Sequence, residues 1–244
     1  MNKTAIIIPA RYNSKRLQGK PLLKVCNKPI IQWVWEKAMQ VKSCDMVIIA
    51  TDNNEIYECA KGFGANVEMT SENHKCGSDR IAEVALRNSD IGYIVNLQGD
   101  EPMIQPECVN EVINQIKEDK LADISTLLAE ITDEDLDDPN MVKCVTDING
   151  YAMYFSRAKI PYERNKNISK FYKHIGIYGY KRESLLKMTN LPACDIENTE
   201  SLEQLRALYN GMKIKTSIVK YNSIGIDTIE DFNAFKQLVE KVNV

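Results

Sequence analysis

The chain has 244 residues, of which 44% are hydrophobic and 27% charged, a balance that places it among ordinary soluble globular proteins and away from disordered and membrane classes. Its net charge of −3 offers nucleic acid no general attraction, and its longest apolar runs, such as Ala5-Ile6-Ile7-Ile8, are far too short to span a bilayer. Met1 to Thr4 lead straight into that run without a signal-length apolar stretch, so the protein is expected to stay in the cytosol. The 7 cysteines are odd in number and widely spaced, with no C-x-x-C pair, and read as reduced thiols.

Short β-rich runs alternate with segments of helical period, the grammar of βαβ units and a largely parallel sheet, and length alone favours one domain. Thr4 to Ile8 reads as a buried strand, and Ile30, Ile31, Val34, Trp35, Ala38 and Met39 mark one face of a helix after Pro29. Met46 to Ala50 is a second strand, Asn54 to Phe63 a helix stopping at Gly64, Asn66 to Met69 a strand, Asp79 to Arg87 a helix, and Tyr93 to Leu97 a strand. The acidic stretch Glu130 to Asp138 reads as a solvated loop. Val142 to Thr146 and Tyr151 to Phe155 then flank Asn149-Gly150, a tight-turn pair that predicts a hairpin in a sheet extension or small lobe. Tyr172 to Tyr180 is a strand, Glu200 to Asn210 one helix ending at Gly211, Lys213 to Val219 a strand, and Asp231 to Val239 the closing helix.

The polar, basic segment from Ala10 to Pro21 follows the first strand directly. Ligands of open α/β sheets bind at the carboxyl ends of strands, so this loop is where a phosphate grip belongs, although it has neither a P-loop nor a dinucleotide fingerprint. Arg11 can fork across two phosphate oxygens, Lys20 adds a point charge, and backbone N–H groups near Ser14 and Gly19 can complete a cradle. Asp100, in Gln98-Gly99-Asp100-Glu101-Pro102, follows another buried strand at the same sheet edge and suits Mg²⁺; a turn-capping Asp is the equal alternative. Asp227, in Gly225-Ile226-Asp227-Thr228, reads by itself as the cap of the last helix.

Seven segments, taken together, are similar to the CMP-3-deoxy-D-manno-octulosonate synthetases, the cytidylyltransferases that activate an acidic sugar for lipopolysaccharide or capsule. They are I-P-A-R-Y-x-S-x-R-L-x-G-K-P at 8 to 21, A-T-D at 50 to 52, N-L-Q-G-D-E-P-M-I at 96 to 104, Y-F-S-R at 154 to 157, K-H-I-G-I-Y-G-Y at 173 to 180, E-S-L-E-Q-L-R at 200 to 206 and G-I-D-T at 225 to 228. The resemblance covers nearly the whole chain. It implies a nucleotide-diphospho-sugar transferase fold, a mostly parallel Rossmann-type sheet flanked by helices with a smaller β-rich lobe. Residues 1–120 would mainly bind nucleotide, 121–222 mainly bind sugar and dimerise, and 223–244 return to the core.

Carried over by motif, Arg11 and Lys20 would hold the triphosphate of CTP, while Ala10, Ser14, Ser78, Arg80 and Gln98 would line the nucleotide. Asp100 and Asp227 would bind Mg²⁺, and Arg11, Lys20 and Asp100 would be the catalytic set. Arg157, His174, Tyr178, Glu203 and Gln204 would meet the carboxylate and hydroxyls of the sugar acid. Where the family commonly reads H-x-S-G-T-[DE]-R, this chain has His74-Lys75-Cys76-Gly77-Ser78-Asp79-Arg80, so Cys76 replaces a hydroxyl. The implied reaction is in-line attack of the anomeric hydroxyl on the α-phosphorus of CTP, by a homodimer that touches neither nucleic acid nor membrane. Its rivals are a cytidylyltransferase for an 8-amino analogue or a nonulosonate, and a non-catalytic sugar-nucleotide binder.

Overall fold

In the computed structural model, which describes residues 2–13, 17–131, 135–165, 168, 170–221 and 225–242, the first apolar run forms β1 (Lys3–Ala10). Every position of β1 after Lys3 is buried, as a parallel strand covered on both faces requires. A hairpin follows, β2 (Lys24–Val25) and β3 (Lys28–Pro29), turned by Cys26 and Asn27 with φ of 50° and 62°, both left-handed as a two-residue hairpin turn demands. The next helix, α1 (Ile30–Ala38), buries Ile30, Ile31, Val34 and Ala38, the face marked by its sequence period. The chain continues through β4 (Met46–Thr51), α2 (Asn54–Gly62), β5 (Asn66–Met69), α3 (Gly77–Arg87), β6 (Ile91–Asn96) and α4 (Pro106–Glu118). Asn53 caps α2 by accepting from the Ile56 amide at 3.1 Å.

The chain divides into two compact units, residues 1–110 with 222–244 and residues 111–221. In the first, the order β6-β1-β4-β5 is parallel throughout, so the loops after these strands emerge along one edge. In the second, β7 (Ile124–Glu130) lies between antiparallel β10 (Tyr172–Lys181) and parallel β11 (Ile214–Ile218). The hairpin of β8 (Lys143–Thr146) and β9 (Ala152–Ser156) joins β10 at the Lys173–Lys143 pair. This unit also carries α5 (Arg182–Asn190), α6 (Asp195–Glu200) and α7 (Gln204–Tyr209). Back in the first unit, α8 (Ile229–Val242) seats Phe235 against Val25, Ile30 and Ile226, edge-on to Trp33 at 5.7 Å.

Three features differ from the sequence reading. The single helix expected over Glu200 to Asn210 is instead the end of α6 and the whole of α7, because Ser201 turns left-handed at φ 52° and closes the first. The acidic stretch is less solvated than its charges suggest, since Ile131 and Leu136 pack on Phe171; residues 132–134 of it lie outside the described residues. The elements β2, β3, α4, β7 and α5 have no counterpart in that reading. No cysteine is in a disulfide, and no helix among the described residues is long and apolar enough to cross a membrane.

Candidate active site

At the carboxyl edge of the parallel sheet, the residues after β1 and β6 enclose a cleft of about 500 Å³ lined by Pro9, Ala10, Arg11, Lys20, Lys75, Gln98, Gly99, Asp100 and Asp227. Four of the residues expected to line the nucleotide, Ala10, Arg11, Lys20 and Gln98, therefore converge here with the expected metal ligands Asp100 and Asp227, from stretches of chain more than two hundred positions apart. Arg11 is exposed, with its Nη1 donating to the Lys75 carbonyl at 3.1 Å. The Gln98 side chain donates to Asn96 Oδ1 at 3.3 Å. Ser14 lies outside the described residues. Lys75 was not among the expected residues, although a cation within the 74–80 motif was a usable signal.

Lys20 starts a single 3₁₀ turn, Lys20–Leu22, entered through Gly19 at φ 66°. The turn buries Lys20 and aims its ammonium at Asp100 Oδ2 (2.7 Å), the Ile226 carbonyl (2.7 Å) and Asp227 Oδ1 (3.3 Å). The expectation was a lysine on phosphate; here all three of its N–H donors rest on protein oxygens, two of them on carboxylates. Asp227 is brought to Asp100 by the backbone, because the Ile226 amide donates to the Asp100 carbonyl at 2.8 Å. The simple cap reading of Asp227 fails on the same geometry. Thr228 Oγ1 accepts from the Asp231 amide, and Asp231 Oδ2 accepts from the amides of Asp227 and Thr228, so a capping box starts α8 without the Asp227 carboxylate.

The two acids fit a magnesium site. Their oxygens already share one cation, their side chains are 27% and 49% exposed toward a polar cleft, and Mg²⁺ takes one or two protein carboxylates while filling its octahedron with water and phosphate. A closed cage would suit it less, and among the described residues no three His, Cys, Asp or Glu side chains converge as one.

Arg80 does not line this cleft. It is wholly buried on α3, with Nη2 on Asp52 Oδ2 at 2.5 Å and Nη1 on Thr70 Oγ1 at 2.5 Å and the Ser71 carbonyl at 3.3 Å. Its charge is therefore spent on tying the ends of β4 and β5 together. Ser78, in the first turn of α3, is likewise buried and off the cleft. Cys76 caps α3, its Sγ accepting from the Asp79 amide at 3.4 Å.

In the second unit, a break in β10 gathers the other expected residues. Against β7 the register jumps between Ile175 and Tyr178, and Thr126 Oγ1 fills the gap by bonding to the Ile177 carbonyl at 2.7 Å. Residues four apart on a regular strand stand roughly 13 Å apart, yet the His174 and Tyr178 rings lie 5.2 Å apart. The bulge is what brings them together. Phe155 packs edge-on to His174 at 5.1 Å. Desolvation pushes His174 down to about 3, so its imidazole is neutral. With the Thr126 proton on Ile177, His174 Nε2 at 2.9 Å from that hydroxyl is the donor, which leaves Nδ1 as an acceptor. Burial, and then the nearby Glu203 charge, raise Tyr178, which keeps its proton. Gln204 is buried at the start of α7.

Arg157 reaches neither ring by any hydrogen bond: Nε donates to the Glu200 carbonyl at 2.7 Å, Nη1 to the Pro139 carbonyl at 3.0 Å, and Nη2 to the Ser201 carbonyl at 3.5 Å. The Glu200 carboxylate in turn takes Ser156 Oγ at 2.6 Å and the Arg157 amide at 2.9 Å. Arg157 was expected on the sugar carboxylate. Its guanidinium is instead engaged in fixing the turn from which Glu203 and Gln204 enter α7.

A parallel sheet with a basic loop and paired acids at its carboxyl edge is the frame of a nucleotide-handling transferase, and the profile of the cytidylyltransferase family matches residues 5–214. The chain is 47% identical to a 3-deoxy-manno-octulosonate cytidylyltransferase of Thermodesulfovibrio yellowstonii, over 93% of this chain and 94% of that one. It is 43% identical to the enzyme of the same name from Fusobacterium nucleatum, over 98% and 97%. A solved CMP:2-keto-3-deoxy-manno-octonic acid synthetase complexed with CTP superposes with a TM-score of 0.94 at 39% identity, covering 98% of this chain and 99% of that one. At 14% identity and a TM-score of 0.66, a 4-diphosphocytidyl-2C-methyl-D-erythritol synthase from Anaerococcus prevotii shares the fold. The chain belongs to the cytidylyltransferase family and, within it, to the 3-deoxy-manno-octulosonate cytidylyltransferases.

Proposed function

We propose that this protein transfers the cytidine monophosphate group of CTP to the anomeric hydroxyl of 3-deoxy-D-manno-octulosonate, with Mg²⁺, and releases pyrophosphate. The observation that carries the reading is the cleft in which Arg11, Lys20, Gln98, Asp100 and Asp227 meet, cations and paired acids on one strand edge. The anomeric oxygen forms a bond to the α-phosphorus, the bond from that phosphorus to the α–β bridging oxygen breaks, and the hydroxyl proton passes to solvent. Such a transfer asks the protein mainly for positioning and charge neutralisation.

Arg11 grips the phosphates through its fork, and the amide of Gln98 faces the nucleotide. Asp100 and Asp227 would hold Mg²⁺, which when bound would supply charge neutralisation for the phosphates and acidify the attacking hydroxyl. On the sugar side, neutral His174 accepts a hydroxyl proton at Nδ1, protonated Tyr178 donates to the carboxylate, and Glu203 and Gln204 take further hydroxyls. The enzyme works as a homodimer in the cytosol and feeds lipopolysaccharide or capsule synthesis.

The test is pyrophosphate release by the purified protein, comparing the octulosonate with its 8-amino analogue and a nonulosonate, and CTP with UTP, with and without a chelator. Release that needs CTP, the octulosonate and the metal is expected. Release with another acid alone would move the substrate, and silence with every acid would overturn the reading.

A further inference from the structure

We infer that Lys20 stands in for the divalent cation until the triphosphate arrives, so that metal and nucleotide enter the site as a coupled pair. The inference rests on the proposed metal-dependent transfer and adds an order of events to it. Its ground is the placement of one buried ammonium whose three donors end on Asp100 Oδ2, Asp227 Oδ1 and the Ile226 carbonyl.

Two ionised carboxylates brought to one point repel each other unless a cation lies between them. The Lys20 ammonium meets that need and holds both acids in place, acting on them as a positioning residue. The same contact makes it a competitor, because a metal ion needs the carboxylate lone pairs that the ammonium occupies. A free divalent cation must therefore break the three bonds of a buried ammonium and offers it no acceptor in return. The triphosphate supplies the missing alternative: it offers Lys20 new acceptors and brings oxygens that complete the metal's coordination. Binding linkage makes this reciprocal, so whatever the nucleotide adds to metal affinity the metal adds to nucleotide affinity.

The experiment is a titration with Mn²⁺ as the probe, without nucleotide and at mildly alkaline pH, with free Mn²⁺ read by electron paramagnetic resonance. Lys20→Met should bind Mn²⁺ about tenfold more tightly than wild type, because the ammonium no longer screens the two carboxylates from the cation. Lys20→Arg, which keeps the charge, should stay as weak as wild type, and adding Asp100→Asn to Lys20→Met should abolish the gain. A folded Lys20→Met protein that binds Mn²⁺ no better than wild type overturns the inference. Should that variant fail to fold, amine labelling of wild type read by mass spectrometry decides: Lys20 should stay protected in Mg²⁺ alone, and labelling in Mg²⁺ alone would overturn it. The titration needs no turnover, so absence of pyrophosphate release from wild type would count against the proposed reaction and not against this exchange.

Discussion

Replacing Arg80 by Met removes the cation of a pair whose side chains are 0% and 17% exposed, and leaves Asp52 without its charged partner. Breaking a buried ion pair from one side costs about 3–5 kcal/mol. The remaining exposure of Asp52 admits some water and argues for the lower end, about 3 kcal/mol, which in a chain of this size corresponds to a midpoint lower by roughly 6–12 °C. Thermal unfolding followed by circular dichroism would measure it. Adding Asp52→Asn to Arg80→Met should recover part of the loss, since no lone carboxylate then stays behind. A shift below about 2 °C for Arg80→Met, or no recovery in the double variant, would refute the view that this arginine serves structure through Asp52.

Asp100→Asn and Asp227→Asn should each lower turnover by about a hundredfold or more with little change in melting temperature, measured as pyrophosphate release beside thermal unfolding. In Gly99→Ala the new Cβ would lie 2.9 Å from the Pro9 carbonyl oxygen, a backbone atom on the cleft wall, so KM for CTP should rise on the order of tenfold. Cys76→Ser gives α3 a hydroxyl cap in place of a weak sulfur acceptor and should add about 0.5–1 kcal/mol, seen as a melting point higher by roughly 1–4 °C. Because His174 sits at about 3 when folded and at the ordinary 6.5 when unfolded, the unfolded chain binds the extra proton between these values, and stability falls as pH drops through that window. His174→Gln should flatten that dependence, as judged from melting temperatures at neutral pH and near pH 5, about one and a half units into the window.

The order of strands and helices in the first unit was legible because each element carries its own period. The buried run of β1, the apolar stripe of α1 and the stop at Gly64 are local facts, and local facts survive folding. The split at Ser201 was not legible, since the forces that make it come from Arg157, 43 and 44 positions away, bonding to the carbonyls of Glu200 and Ser201. Nor was the fate of the cations. The sequence around Lys20 offers no acid to pair with it; its partners lie 80 and 207 positions away and exist for it only after the sheet has formed.

The residues alone settled the class of fold and the family. They also named candidates for the side chains that carry chemistry, because the period of burial and the seven motifs are properties of neighbours along the chain. The tertiary structure decided what those side chains face. It turned Arg80 inward to Asp52, drew Arg157 onto three carbonyls, and used a bulge in β10 to set His174 beside Tyr178. It also placed one lysine between the two acids. Each of these choices depends on desolvation and on partners distant in sequence, and a buried charge takes whichever partner the packed fold provides.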